Sequence, residues 1–174
     1  MLLTGAALAV IFAAAAFAAG CGSSESSKQE DGVDCSKEFA ANTPDYTACL
    51  FVNAVQAEAA KGFKGNALGA EVVKNTELFI DDNTYDLYFN SNHKTYPALL
   101  TELKGDIGMG IYTHAGAHFQ SLDIVSEQDA MMGAIRPIPN KKIDVHLSNG
   151  SGFPIQTIVQ INDHWYILTL AHAF

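Results

Sequence analysis

The chain is short of positive charge. Lys and Arg number 10 against 19 Asp and Glu, a formal net charge of −9 over 174 residues, and the nearest thing to a basic run is Lys141-Lys142. A surface of that sign repels phosphate backbones and anionic headgroups, so nucleic acid is excluded as an expected partner. Catalytic signatures are missing too. The sequence holds no HExxH, no G-x-S-x-G and no paired-cysteine metal pattern. The glycines between residues 105 and 116 do not follow a strand and open a helix in the dinucleotide-binding arrangement. No cofactor is implied. Charged residues are 17% of the chain, below the usual quarter or so, but hydrophobic residues reach 48%, which is too apolar for a disordered chain.

Charge is absent altogether before Glu25. Residues 5–19 form an unbroken run of apolar and small side chains. Such a run matches the apolar region of a signal peptide and is short of the roughly 20 residues that a membrane-spanning helix needs. It departs from the usual signal in having no Lys or Arg ahead of it. The run ends in Ala18-Ala19-Gly20-Cys21, which resembles the lipobox of bacterial lipoproteins, with Ala where Leu is more usual. The resemblance implies cleavage after Gly20, acylation of Cys21 (with palmitate among its chains) and attachment of the protein to a membrane through that lipid. Gly22 rather than Asp after the acylated cysteine implies sorting to an outer membrane, the domain facing the periplasm or the cell surface. An uncleaved apolar anchor and an ordinary secreted protein cleaved nearby are the other readings of the same residues. The stretch 22–32 is small, polar and without core-forming residues, so it reads as a flexible tether. The expected organisation is a signal peptide over 1–20, a tether over 21–34 and one domain over 35–174, a length that one core can serve.

Three cysteines are an odd number for an exported chain. With Cys21 lipidated, Cys35 and Cys49 are left to pair. An oxidising compartment would let them form a disulfide worth about 3 kcal/mol on the chain-entropy estimate. Two buried, reduced thiols are the alternative.

Within the domain, Thr43-Pro44-Asp45 is a helix start, with an N-cap hydroxyl, a proline in the first turn and an acid near the helix N-terminus. Ala48, Phe51, Val52, Val55 and Ala59 follow with helical spacing, and Gly62 supplies the stop. A shorter helix is expected over 67–74, weakened by Gly69. Segments 77–80 and 84–89 alternate apolar and polar residues around Asp81-Asp82-Asn83, which predicts a β-hairpin. A helix over 96–104 should stop at Gly105. Strands are expected over 119–126, 130–135, 143–147, 153–161 and 164–171. Ser148-Asn149-Gly150-Ser151-Gly152 reads as a hairpin loop and Asn162-Asp163 as a two-residue turn. Pro137 and Pro139 mark a kink, bulge or edge crossing.

Helices followed by an antiparallel run of strands make an α+β fold. The element order and the closing pair through Asn162-Asp163-His164-Trp165-Tyr166-Ile167 resemble the NTF2-like (cystatin-like) superfamily. The resemblance implies N-terminal helices packed on a curved antiparallel sheet, a cone that would take a small apolar ligand or another envelope protein.

Six histidines, His93, His114, His118, His146, His164 and His172, raise a metal-binding envelope protein as one alternative. His114 and His118 are four apart, and His164, Tyr166 and His172 share a strand parity. Glycines around His114 argue against the helix that the first pair would need, and partly exposed strand or loop histidines are the plainer reading. Asp81-Asp82-Asn83-Thr84-Tyr85-Asp86 looks like a calcium loop but has Asp86 where glycine belongs and Asn92 where the closing Glu belongs. A second alternative is an enzyme of isomerase or dehydratase type, with Asp123 or Asp144 beside a His or Tyr inside the cone. The leading expectation is a lipid-anchored envelope lipoprotein whose domain binds rather than catalyses. Its membrane contact would be Cys21 and its disulfide Cys35–Cys49, with no catalytic and no metal residues assigned.

Overall fold

The computed structural model describes residues 32–89, 94–109, 117–131 and 133–170; the apolar run and Cys21 lie outside them. The fold is α+β, with five helices and one sheet among these residues. The helices are α1 (Cys35–Glu38), α2 (Pro44–Ala60), α3 (Gly65–Val72), α4 (Asp82–Tyr88) and α5 (Tyr96–Gly108). The strands are β1 (Phe119–Gln128), β2 (Asn140–Leu147), β3 (Gly152–Ile161) and β4 (His164–Thr169).

Helix α2 starts and stops where the sequence places it. Thr43 Oγ1 accepts the Tyr46 N–H at 3.2 Å, Pro44 opens the first turn, and Gly62 takes φ +92 just past the end. Its stripe of Ala48, Phe51, Val52 and Val55 is buried. Phe51 meets Phe79 and Phe153 edge-on, with ring centroids 6.3 and 5.8 Å away, and so joins helix, connecting segment and sheet into one core.

Helices α3 and α5 touch backbone to backbone. A Cβ on Gly69 would stand 2.2 Å from the Lys104 carbonyl oxygen, and one on Gly108 would stand 2.5 Å from the Gly65 carbonyl carbon. Gly69 therefore does not weaken its helix for nothing; it allows the close crossing. Gly105, expected to end α5, lies inside it, because Asp106 and Ile107 continue the buried stripe begun by Leu99 and Leu103.

The four strands pair antiparallel in the order β1-β2-β3-β4, as an open sheet. Ile143, Val145, Leu147, Phe153 and Ile155 are buried on the face that meets α2, while Asp144 and His146 take the opposite face. Asn162 and Asp163 both have positive φ, +52 and +61, as the tight turn between β3 and β4 requires. The two sheet edges are treated differently. On β4, the Thr47 hydroxyl donates to the Trp165 carbonyl at 3.0 Å and the Ile167 N–H donates to the Leu78 carbonyl at 2.8 Å, so helix and loop cover the edge. Strand β1 has β2 on one side only, and its register against β2 is interrupted twice, between Phe119 and Ser121 and between Ile124 and Ser126. Bulges of this kind twist an edge away from further pairing.

Two expected segments fold otherwise. Residues 82–88 are helix, not the second strand of a hairpin: Asp81 accepts the Thr84 N–H at 2.9 Å as an N-cap, and Tyr85 stacks on Phe89 one turn later at 5.0 Å. Leu78 and Ile80 are buried instead beside β4 and α5, the first through its carbonyl bond to Ile167 and the second through the bond that Tyr96 donates to its carbonyl. Residues 130–135 hold no strand among the described positions. Gly133 takes φ +88, and the segment contributes a single bridge from Ala134 to Phe89.

Candidate functional site

Cys35 and Cys49 form the expected disulfide, with Cα atoms 5.8 Å apart, closing a separation of 14 residues between α1 and the first half of α2. Both are buried. The segment that leads into Cys35 is held as well. Asn53 on α2 donates through Nδ2 to the Val33 carbonyl at 2.7 Å and lies 3.3 Å from Cys35 Sγ. The root of the expected tether is thus fixed against α2 by one covalent bond and one amide.

Asp123, Asp144 and His146, singled out by strand parity, come together on the sheet face away from α2. Asp123 stands directly opposite Asp144 across β1 and β2, an arrangement that repels. The His146 ring, Nε2 to Asp123 Oδ2 at 3.0 Å, offsets that repulsion when protonated. The Asp123 side chain is 80% exposed and that of His146 46%. Open water around both groups screens them and leaves no walls to orient a substrate. Neither expected carboxylate points toward the helices.

The remaining histidines are scattered. His164 Nε2 lies 2.6 Å from the Glu77 carbonyl oxygen and its ring packs on Tyr166 at 4.6 Å. The His118 N–H donates to Ser148 Oγ at 3.0 Å. His93, His114 and His172 lie outside the described residues. Among the described residues no three His, Cys, Asp or Glu side chains gather in a group that could hold a metal ion. Asp81, read as part of a failed calcium loop, is the N-cap of α4. The Thr84 N–H and hydroxyl hold its carboxyl below the ordinary value of 3.8.

Three features escaped sequence reading. Asp106 is a buried carboxylate, 1% exposed. Its place three and seven residues after Leu103 and Leu99 was the available signal. Around α4 sits an aromatic group in which Tyr96 donates to the Ile80 carbonyl at 2.9 Å, Tyr85 to the Lys94 carbonyl at 2.8 Å, and Arg136 lies 5.0 Å over the Tyr88 ring. Burial, and behind it the carboxylates of Asp82 and Asp81, raises the Tyr96 phenol above its ordinary value. Finally, large apolar side chains stand in water at two places: Ile124 and Val125 on β1, and Leu87 and Ile135 beside Tyr88, where the Ile135 N–H donates to the Tyr88 carbonyl. No sequence pattern distinguishes an apolar residue that stays exposed from one that is buried.

No protein family, curated protein or solved structure matches the chain.

Proposed function

We propose that this is a lipid-anchored lipoprotein of the cell envelope, held to a membrane by acylated Cys21 and presenting a non-catalytic binding domain at the end of a short tether. The observation that carries the reading is the disulfide. With Cys35 joined to Cys49, one of the three cysteines remains, and it stands at the end of an uncharged apolar run followed by small polar residues. A bridge of this kind also fits an oxidising compartment such as the periplasm or the outer surface of an outer membrane. Among the described residues no helix is long and apolar enough to cross a membrane, so on this reading the lipid carries the attachment.

The finer reading of the sheet as an NTF2-like cone, curved by its bulges, goes with this proposal. Binding of a partner protein is favoured over catalysis because the polar cluster of Asp123 and His146 is open to water, whereas the helix-facing side of β2 and β3 is filled with apolar side chains. The exposed Leu87, Ile124, Val125 and Ile135 are the kind of surface that a protein contact would cover. The test is metabolic labelling with palmitate in a lipoprotein-processing bacterium. Label should enter the wild-type chain and be lost in Cys21→Ser, with release of the variant from the membrane fraction. Equal labelling of the two chains would refute the anchor, and turnover on a panel of isomerase and hydrolase substrates would refute the non-catalytic assignment.

A further inference from the structure

We propose that Asn149 is a site of spontaneous conversion to aspartate and isoaspartate, promoted by its own hairpin loop. Asn149 is exposed at the tip between β2 and β3 and is the one asparagine of the sequence that precedes a glycine. The Leu147 N–H donates to the Ser151 carbonyl at 2.8 Å and the Gly150 N–H to the Leu147 carbonyl at 2.9 Å, while Gly150 takes φ +80. This is a three-residue hairpin loop closed by a left-handed glycine. Within it, Asn149 Oδ1 accepts two bonds from Ser151, from the N–H at 3.0 Å and from the hydroxyl at 2.6 Å.

Two donors on one carbonyl oxygen do for the side-chain amide what an oxyanion hole does for an acyl group. They draw electron density off Cγ and stabilise the charge that gathers on Oδ1 when a nucleophile adds. The nucleophile is the backbone nitrogen of Gly150. Nothing lies within 4 Å of where its Cβ would be, so no side chain hinders the approach. Loss of the Gly150 amide proton to hydroxide frees an electron pair that forms the N–Cγ bond as the Cγ=O π pair moves to Oδ1. Collapse of that adduct re-forms the carbonyl and breaks the bond from Cγ to Nδ2, which leaves as ammonia after taking a proton from water. Water then adds to either carbonyl of the five-membered imide and breaks its bond to the ring nitrogen, leaving aspartate or isoaspartate. The net change is amide plus water to carboxylate plus ammonium. The Gly150 N–H must first leave the Leu147 carbonyl, so opening of the loop gates the rate. The product adds a negative charge at the tip, and isoaspartate adds a methylene to the backbone that joins β2 to β3.

The experiment is incubation of the purified full chain in mildly alkaline buffer, followed by peptide mapping for the amide-to-acid mass change and enzymatic methylation of isoaspartate. Asn149 should convert ahead of every other asparagine. Ser151→Ala should slow it by about threefold or more, the exposed-site remnant of a larger enzymatic effect; Ser151→Thr, which keeps both donors, should match the wild type, and Gly150→Ala should slow conversion further. An Asn149 that outlasts other asparagines, or a Ser151→Ala chain that converts as fast as the wild type or faster, overturns the proposal.

Discussion

Replacing Gly69 by alanine puts one methyl group into the contact between α3 and α5, and its cost can be worked from the geometry. The added Cβ would lie 2.2 Å from the Lys104 carbonyl oxygen, 2.7 Å from its Cα and 2.8 Å from its carbonyl carbon, all backbone atoms that cannot rotate away. Reaching ordinary contact requires the helices to part by about 1 Å in an interior packed at crystal-like density. Overpacking of that kind costs about 1–3 kcal/mol, and the better helix propensity of alanine returns at most about 1 kcal/mol. The net expectation is a loss of about 1–2 kcal/mol, or roughly 2–8 °C in Tm for a domain of this size. Gly105→Ala is the control. It lies in the neighbouring helix with nothing within 4 Å of its Cβ position, so it should gain about 0.5–1 kcal/mol from propensity alone. Urea and thermal denaturation followed by far-ultraviolet circular dichroism would measure both. Shifts of the same sign for the two variants would refute the backbone contact.

Removing the disulfide by Cys35→Ala with Cys49→Ala should lower stability by about 3 kcal/mol from the 14-residue closure, read as a fall in the urea midpoint; an unchanged midpoint would mean the pair is reduced. Thr47→Val keeps the buried volume but strips the Trp165 carbonyl of its donor, and should cost about 1–3 kcal/mol in the same assay. The Asp81 carboxyl is held below its ordinary value of 3.8 by the Thr84 N–H and hydroxyl. A depressed folded-state pKa gives stability that is present above 3.8 and lost as pH falls through the lower folded value. Asp81→Asn, which still caps α4, should therefore lose less stability on acidification than the wild type, and parallel pH profiles would argue against the cap.

The parts of the fold that could be read in the sequence were those where local chemistry and tertiary packing agree. Thr43-Pro44-Asp45 and Gly62 bracket α2 whatever it packs on, and Asn162-Asp163 accepts positive φ as few pairs do. Residues 82–88 misled because Tyr85, Leu87 and Phe89 alternate as a strand would. The deciding signal was the spacing of Asp81 to Thr84 and of Tyr85 to Phe89, and Leu87 proved 61% exposed rather than buried. Gly105 looked like a stop because a lone glycine is ambiguous; a stripe of buried residues running through it outweighs about 1 kcal/mol of propensity. The pairing of Cys35 with Cys49 was reached by elimination, and strand parity brought Asp123, Asp144 and His146 to one face. Their exposure was not legible, because parity says which face a residue takes and not what covers that face. Asp106 was missed for the converse reason: a carboxylate on an apolar stripe reads as the end of the stripe.

The joint formed by Val33, Asn53 and the Cys35–Cys49 bond has a mechanical consequence. A pull on the chain from its N-terminal side would first strip one hydrogen-bonded segment from the flank of α2 and then meet a covalent link, passing the load across the residues between the two cysteines into the body of the helix. The short helix at the root is bypassed, and the sheet is not unzipped strand by strand. Force applied from that end would therefore be borne by the whole packed core at once.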